Sequence, residues 1–170
     1  RPSAIAGDII ESAGGTPVGL PAPDLYTSLQ RGVLDGVSLT WDAMGPFRLI
    51  ELTNAHTNIP FYSSAMMVTM NKDKYESLPD DLKKVIDDNS GKAMAAEAGK
   101  VFDAQDAKYM AEAKAKGDTM IDIPDPLNDP QWKGPLEAGT EKYLNDVTAL
   151  GLDARTVYEK AQAASAACKV

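Results

Sequence analysis

His56 is the single histidine of the chain and Cys168 its single cysteine. Chemistry that needs a cluster of nitrogen or sulfur ligands therefore has little to draw on. His56 is followed by Thr57, with no second histidine, cysteine or grouped carboxylate at ligand spacing, which argues against a metal site. Nucleophilic catalysis fares no better: there is no G-x-S-x-G elbow, and the serines are scattered in caps and loops. Glycines 14, 15 and 19 do not make G-x-G-x-x-G, and no G-x-x-x-x-G-K-[ST] phosphate loop occurs. What remains is suited to binding. Arg1 offers a planar fork of donors that matches a carboxylate bidentately. Trp41, one of two tryptophans, follows the apolar run "VSLT", and "PFY" (60–62) adds Phe61 and Tyr62. Plainer roles exist at the same positions: Trp41 as a core or hinge residue, Arg1 as a surface ion pair.

The elements around these residues read as alternating helix and strand. Ile5, Ile9 and Ile10 make an apolar helical stripe that stops at Gly14-Gly15. "TPVGLP" (16–21) reads as a strand. Leu25, Tyr26, Leu29 and Val33 recur at helical spacing after Pro23 and Asp24. The Asp35-Gly36 turn leads into a strand over 36–40 that ends on Trp41. A helix over 44–52 and a central strand within 56–71 follow, the latter apolar on both faces. This order with short connections predicts a mostly parallel sheet, whose ligands collect beyond the carboxyl ends of the strands. On that logic Arg1, Trp41 and the "PFY" stretch share a rim.

"SLPDDLKKVIDD" opens a long helix, with Ser77 as N-cap and Pro79, Asp80 and Asp81 in the first turn. Leu82, Val85, Ile86, Ala98, Val101, Phe102 and Tyr109 form its expected buried stripe. Running to about Lys116, it would hold roughly 38 residues and measure about 57 Å. It therefore either bends near Ser90-Gly91 or crosses two domains. A strand over 119–124 and helices over about 130–150 and 153–167 complete the pattern. The segments are 1–76, an α/β ligand-binding part; 77–117, the long helix; and 118–170, a strand and C-terminal helices.

Composition narrows the function classes. The chain has 170 residues, 44% of them hydrophobic, enough for a domain with a core. Its 25 acidic against 17 basic residues, net −8, form no basic stripe for nucleic acid. A lone cysteine excludes an intramolecular disulfide. No apolar run approaches the ~18 residues of a membrane span. Arg1 runs straight into a helix with no leader, so the expectation is a chain that starts after a processing site or is incomplete.

Two stretches carry a family resemblance. "GGTPVGLPAPDLYTSLQRGVLDGVSLTW" and "HTNIPFYSSAMMVTMNKDKYESLPDDLKKVI" closely resemble the solute-binding proteins of tripartite ATP-independent periplasmic (TRAP) transporters, the dicarboxylate-binding family. The shared pattern runs R-P-S, GG-x-P-V-x-x-P, Y-x-x-L-x-x-G-V-x-DG, W, F-Y, M-N-K and Y-x-S-L-P-x-D-L, in that order, and weakens after about Gly117. The resemblance implies an α/β, periplasmic-binding-protein-like two-lobe fold. Of this the chain would supply mainly the C-terminal lobe, the long helix spanning both lobes, and the C-terminal helices.

It also implies a function: capture of a small organic acid anion in the periplasm, by a monomer without cofactor, metal or bond chemistry, for delivery to TRAP membrane permease subunits. Arg1 takes the family's carboxylate-pairing role, and Leu39, Trp41, Phe61 and Tyr62 line the ligand. Two departures stand out. Arg-Pro replaces the commoner Arg-x-Pro, and Thr40 stands where many members have proline, so the ligand need not be sialic acid or a C4-dicarboxylate. Two other readings stay open beside this one: a small α/β hydrolase or lyase using Asp35 and His56, and a receptor-type sensor of the same fold.

Overall fold

Ala6 and Ile9, three residues apart on helix α1 (Ala4–Ser12), are fully buried, and they set the architecture of the first half of the molecule. The computed structural model describes residues 4–60, 62 and 66–167. These divide into two compact units, one of residues 4–38, 57–60, 62 and 120–167, the other of residues 39–56 and 66–119.

In the first unit α1 packs on the long helix near the C-terminus, Lys133–Ala149, whose buried residues are Leu136, Gly139 and Leu144. Gly139 is a close-approach residue: a Cβ there would lie 2.9 Å from both the Cα and the N of Ile9. Only glycine lets the two backbones come this near. The Lys142 ammonium closes the same face, 2.6 Å from Asp8 and 3.2 Å from Asp146. Helix α1 ends at Gly14, which takes a positive φ of 88°, and Gly15 N–H returns to Ile10 O at 2.9 Å. A 3-10 turn over Ala22–Asp24 then feeds α2 (Leu25–Gln30), which buries Leu25.

The second unit begins with α3 (Trp41–Met44) and a 3-10 turn over Leu49–Glu51, and takes in the first two residues of strand β1 (Ala55–Asn58). Helices α4 (Lys72–Glu76), α5 (Asp80–Asp88) and α6 (Gly91–Lys116) come next. Met44, Leu49, Ile50 and Ala113 form its buried centre. Strand β2 (Thr119–Asp122), helix α7 (Lys133–Ala149) and helix α8 (Ala154–Ala167) complete the described chain. The Asn54 carbonyl accepts from Thr119 N–H at 2.9 Å and the Asn58 carbonyl from Ile123 N–H at 3.0 Å. The bonds advance in the same direction on both strands, so β1 and β2 pair in parallel, as the βαβ reading requires.

The helical expectations for α1, α2, α7 and α8 hold, as does the strand at 119. The long helix breaks at the predicted place. Asn89 Nδ2 and Ser90 Oγ donate to the carbonyls of Val85 and Ile86, closing α5, and Gly91 restarts the helix at φ 67°. Ser77 is not its N-cap. It ends α4 instead, its hydroxyl donating to Lys74 O at 2.8 Å, while the α4 cap is Asn71, which accepts from Lys74 N–H at 3.0 Å.

Other expectations need correction. Segments 16–21 and 36–40 are irregular, because a strand needs a neighbour for its N–H and C=O groups and none pairs with them among the described residues. Of the strand expected within 56–71, only Ala55–Asn58 joins the ladder, and Met66, Met67 and Val68 are exposed in irregular chain. The helix over 44–52 is split by Gly45-Pro46 and by Arg48, whose φ of 57° is left-handed. The stripe on the long helix is largely solvent-facing: Leu82, Val85, Val101 and Phe102 are exposed, while Asp106 and Tyr109, in the second half of α6, meet α3 and its C-cap.

Candidate functional site

Trp41 does not end a strand. Thr40 is extended, at φ −73° and ψ 155°, and Trp41 is the first residue of α3. Two contacts pin this short helix to α6. The Asp42 N–H donates to Asp106 Oδ1 at 2.6 Å, and Gly45 lies so close under the Tyr109 ring that a Cβ would force the ring to shift. Burial, with Asp42 nearby, pushes the Asp106 carboxyl above its usual range, although the hydrogen bond from the Asp42 N–H opposes the shift. Trp41 itself is half-buried, and its ring meets the imidazole of His56 at 5.0 Å between centroids, tilted by 42°.

His56 is the buried polar residue that the sequence left without a partner. Strand β1 turns it inward, as the exposed–buried alternation of Ala55, His56 and Thr57 shows. Its Nε2 lies 2.9 Å from Asp118 Oδ2. An ionised carboxylate can only accept, so the hydrogen of this bond lies on Nε2.

Asp118 reaches this position through the end of α6. Gly117 adopts φ 90°, its N–H bonding Lys114 O and the Asp118 N–H bonding Ala113 O, each at 3.1 Å. This double return is a glycine-terminated helix end that swings the next side chain back over the last turn. Lys116 completes the cluster. Its ammonium stands 3.0 Å from Asp118 Oδ1, donates to Ile50 O at 2.7 Å, and also donates to Thr53 O.

Burial alone would raise the Asp118 carboxyl, but hydrogen bonds from His56 and Lys116 and the lysine charge outweigh it and hold the group below its ordinary range. The side chains of His56 and Asp118 are only 7% and 4% exposed. Thus an almost dry imidazole–carboxylate pair, capped by a lysine whose side chain is 38% exposed, sits behind the Trp41 ring. Its carboxylate is shared between an imidazole and an ammonium.

The other residues singled out in the sequence fall as follows. Leu39 is half-buried in the irregular stretch leading into α3, two positions before Trp41 in the same unit. Tyr62 is half-buried in the first unit. Arg1 and Phe61 lie outside the described residues. Asp35 is exposed, and the carboxylate that bonds His56 is Asp118 rather than Asp35. Among the described residues no group of three or more histidine, cysteine, aspartate or glutamate side chains could hold a metal ion, and no helix is long and apolar enough to cross a membrane. A shallow depression of about 350 Å³ is lined by Ser12, Ala13, Gln131, Trp132 and Pro135 and includes none of the site residues.

The sequence signal for the His56 network was weak but present: a glycine closing a long helix, followed by a lone aspartate and then a strand. What it could not show was that this strand pairs beside His56.

Comparison with known proteins agrees with the fold. The DctP family model, described as bacterial extracellular solute-binding protein, family 7, matches residues 1–145. A TRAP solute-binding protein from Rhodoferax ferrireducens T118, solved with copurified benzoate, superposes with a TM-score of 0.82 at 30% identity, covering 96% of this chain and 52% of that one. A marine metagenome TRAP solute-binding protein specific for aromatic acid ligands, solved with metahydroxyphenylacetate, gives 0.79 at 34% identity, covering 94% and 51%. The same protein with 3-hydroxybenzoate gives 0.78 at 34%, covering 93% and 50%. The chain thus spans about half the length of these solved structures. With the parallel strand pair, the glycine-closed long helix and a family match over most of its length, the chain belongs to the DctP family of bacterial extracellular solute-binding proteins, family 7.

Proposed function

We propose that this chain is part of a periplasmic binding protein that captures an organic acid, aromatic carboxylates foremost, and hands it unchanged to TRAP membrane permease subunits. The observation that carries the reading is the similarity over nearly the whole chain to proteins solved with benzoate and with 3-hydroxybenzoate. Trp41 supports it from within. A half-buried indole braced from behind by a buried imidazole is a rigid apolar face, the kind of wall an aromatic ring can lie against.

In this reading Arg1 pairs with the ligand carboxylate, Trp41 and Phe61 supply apolar walls, and Leu39 and Tyr62 contribute to the lining. The protein acts as a monomer and as a carrier, not an enzyme; His56 bonds a buried carboxylate that Lys116 also pairs with. A desolvated arginine–carboxylate pair is worth far more than a surface one, because the partner is left with an unpaired charge when the guanidinium is removed. In the full-length protein Arg1→Ala should therefore weaken benzoate binding by about 30-fold or more, corresponding to roughly 2–5 kcal/mol. Isothermal calorimetry measures this directly. An affinity equal to wild type would overturn the role given to Arg1.

A further inference from the structure

We propose that His56, Asp118 and Lys116 act as a positioning unit for Trp41, so that ligand affinity at the indole depends on a network that never touches the ligand. The inference rests on the reading of Trp41 as a ligand-contacting wall.

The geometry forms a chain of constraints within one unit. Lys116 is fixed by the carbonyls of Ile50, inside the 3-10 turn, and Thr53, just beyond it. It holds Asp118 at 3.0 Å, and Asp118 holds His56 at 2.9 Å. The imidazole, unable to rotate without losing that bond, then supports the indole at 5.0 Å. On the other side of Trp41, the Asp42 N–H is tied to Asp106. Both the backbone and one face of the ring are therefore set before any ligand arrives.

A core with no task beyond stability would be served as well by apolar side chains in the places of His56 and Asp118, since burying a carboxylate carries a desolvation cost that its partners barely offset. Directional bonds add orientation instead. An oriented side chain has less rotamer freedom to lose when a ligand packs on it, so releasing it should weaken binding by about three- to tenfold.

A double-mutant cycle with benzoate as the probe tests this in the full-length protein, using Trp41→Ala, His56→Gln and the double variant, with affinities from calorimetry. The expected result is that Trp41→Ala weakens binding by about tenfold or more, His56→Gln by about three- to tenfold, and the double variant no further than Trp41→Ala alone. In protein labelled with 5-fluorotryptophan, the resonance that Trp41→Ala removes should also sharpen in His56→Gln, as the ring gains motion. Asp118→Asn, which keeps the shape but weakens the hold on His56, should repeat both effects and serves if His56→Gln does not fold.

Wild-type affinity in folded His56→Gln and Asp118→Asn proteins, or a loss that adds in full to that of Trp41→Ala, would overturn the proposal. So would an unchanged affinity in Trp41→Ala. If Arg1→Ala still weakens benzoate binding in that case, the carboxylate reading stands and the positioning role alone falls.

Discussion

Asp118 shows how much of a site can hang on one side chain. It is almost fully buried, it accepts from His56 and Lys116, and its carboxyl is held below its ordinary value near 3.8. A depressed folded-state pKa means that the unfolded chain binds the proton more readily. Asp118 therefore contributes stability above about pH 4, and that contribution is lost as pH falls through the lower folded value. Urea midpoints measured from pH 6 downward should fall in wild type at the acid end, and less so in Asp118→Asn. At pH 7 the same substitution should cost about 1–3 kcal/mol, because Lys116 and His56 lose a charged acceptor. Equal acid sensitivity in the two proteins would contradict the assignment. At this scale the sequence was partly legible. Trp41 drew notice as a rare aromatic after an apolar run, whereas the partner of His56 lies 62 positions away, and no local spacing rule joins them.

Elements defined by local pattern were read more faithfully than elements that need a distant neighbour. Helix α1 announces itself by Ile5, Ile9 and the glycine stop, and α7 and α8 lie close to their predicted limits. The break between α5 and α6 follows from Ser90-Gly91, although Asn71, whose side chain caps α4, was overlooked. Segments 16–21 and 36–40 have the right residues for strands, but a ladder is a property of two segments, and pairing is not written in either one.

Close helix approaches were equally hidden, since a glycine looks the same in a turn and in a contact. Gly139 and Gly45 test this. Gly45 has an ordinary φ of −74°, and what stands in the way of a side chain there is the Tyr109 ring. Gly139→Ala must push against the backbone of Ile9, a rigid neighbour, and should lower stability by about 1–3 kcal/mol in chemical denaturation. Gly45→Ala meets a side chain instead, so its loss should shrink when Tyr109→Ala is added. No loss in Gly139→Ala would mean that α1 and α7 are not packed this closely.

For the whole molecule, the sequence resemblance reached further than residue patterns did. Periodicity and composition support an acidic α/β chain, and the ordered motifs from "GGTPV" to "SLPDDL" add the family that the match over residues 1–145 establishes. Exposed Met66, Met67 and Val68 mark where local reasoning ended, for their apolar character predicted a central strand that the described residues do not pair. The central claim is that the protein binds an organic acid and leaves it unchanged. Native mass spectrometry of the full-length protein mixed with benzoate tests it most directly. The account predicts a one-to-one adduct that releases benzoate of unaltered mass on denaturation, and either the lack of any adduct or the recovery of a converted acid would contradict it.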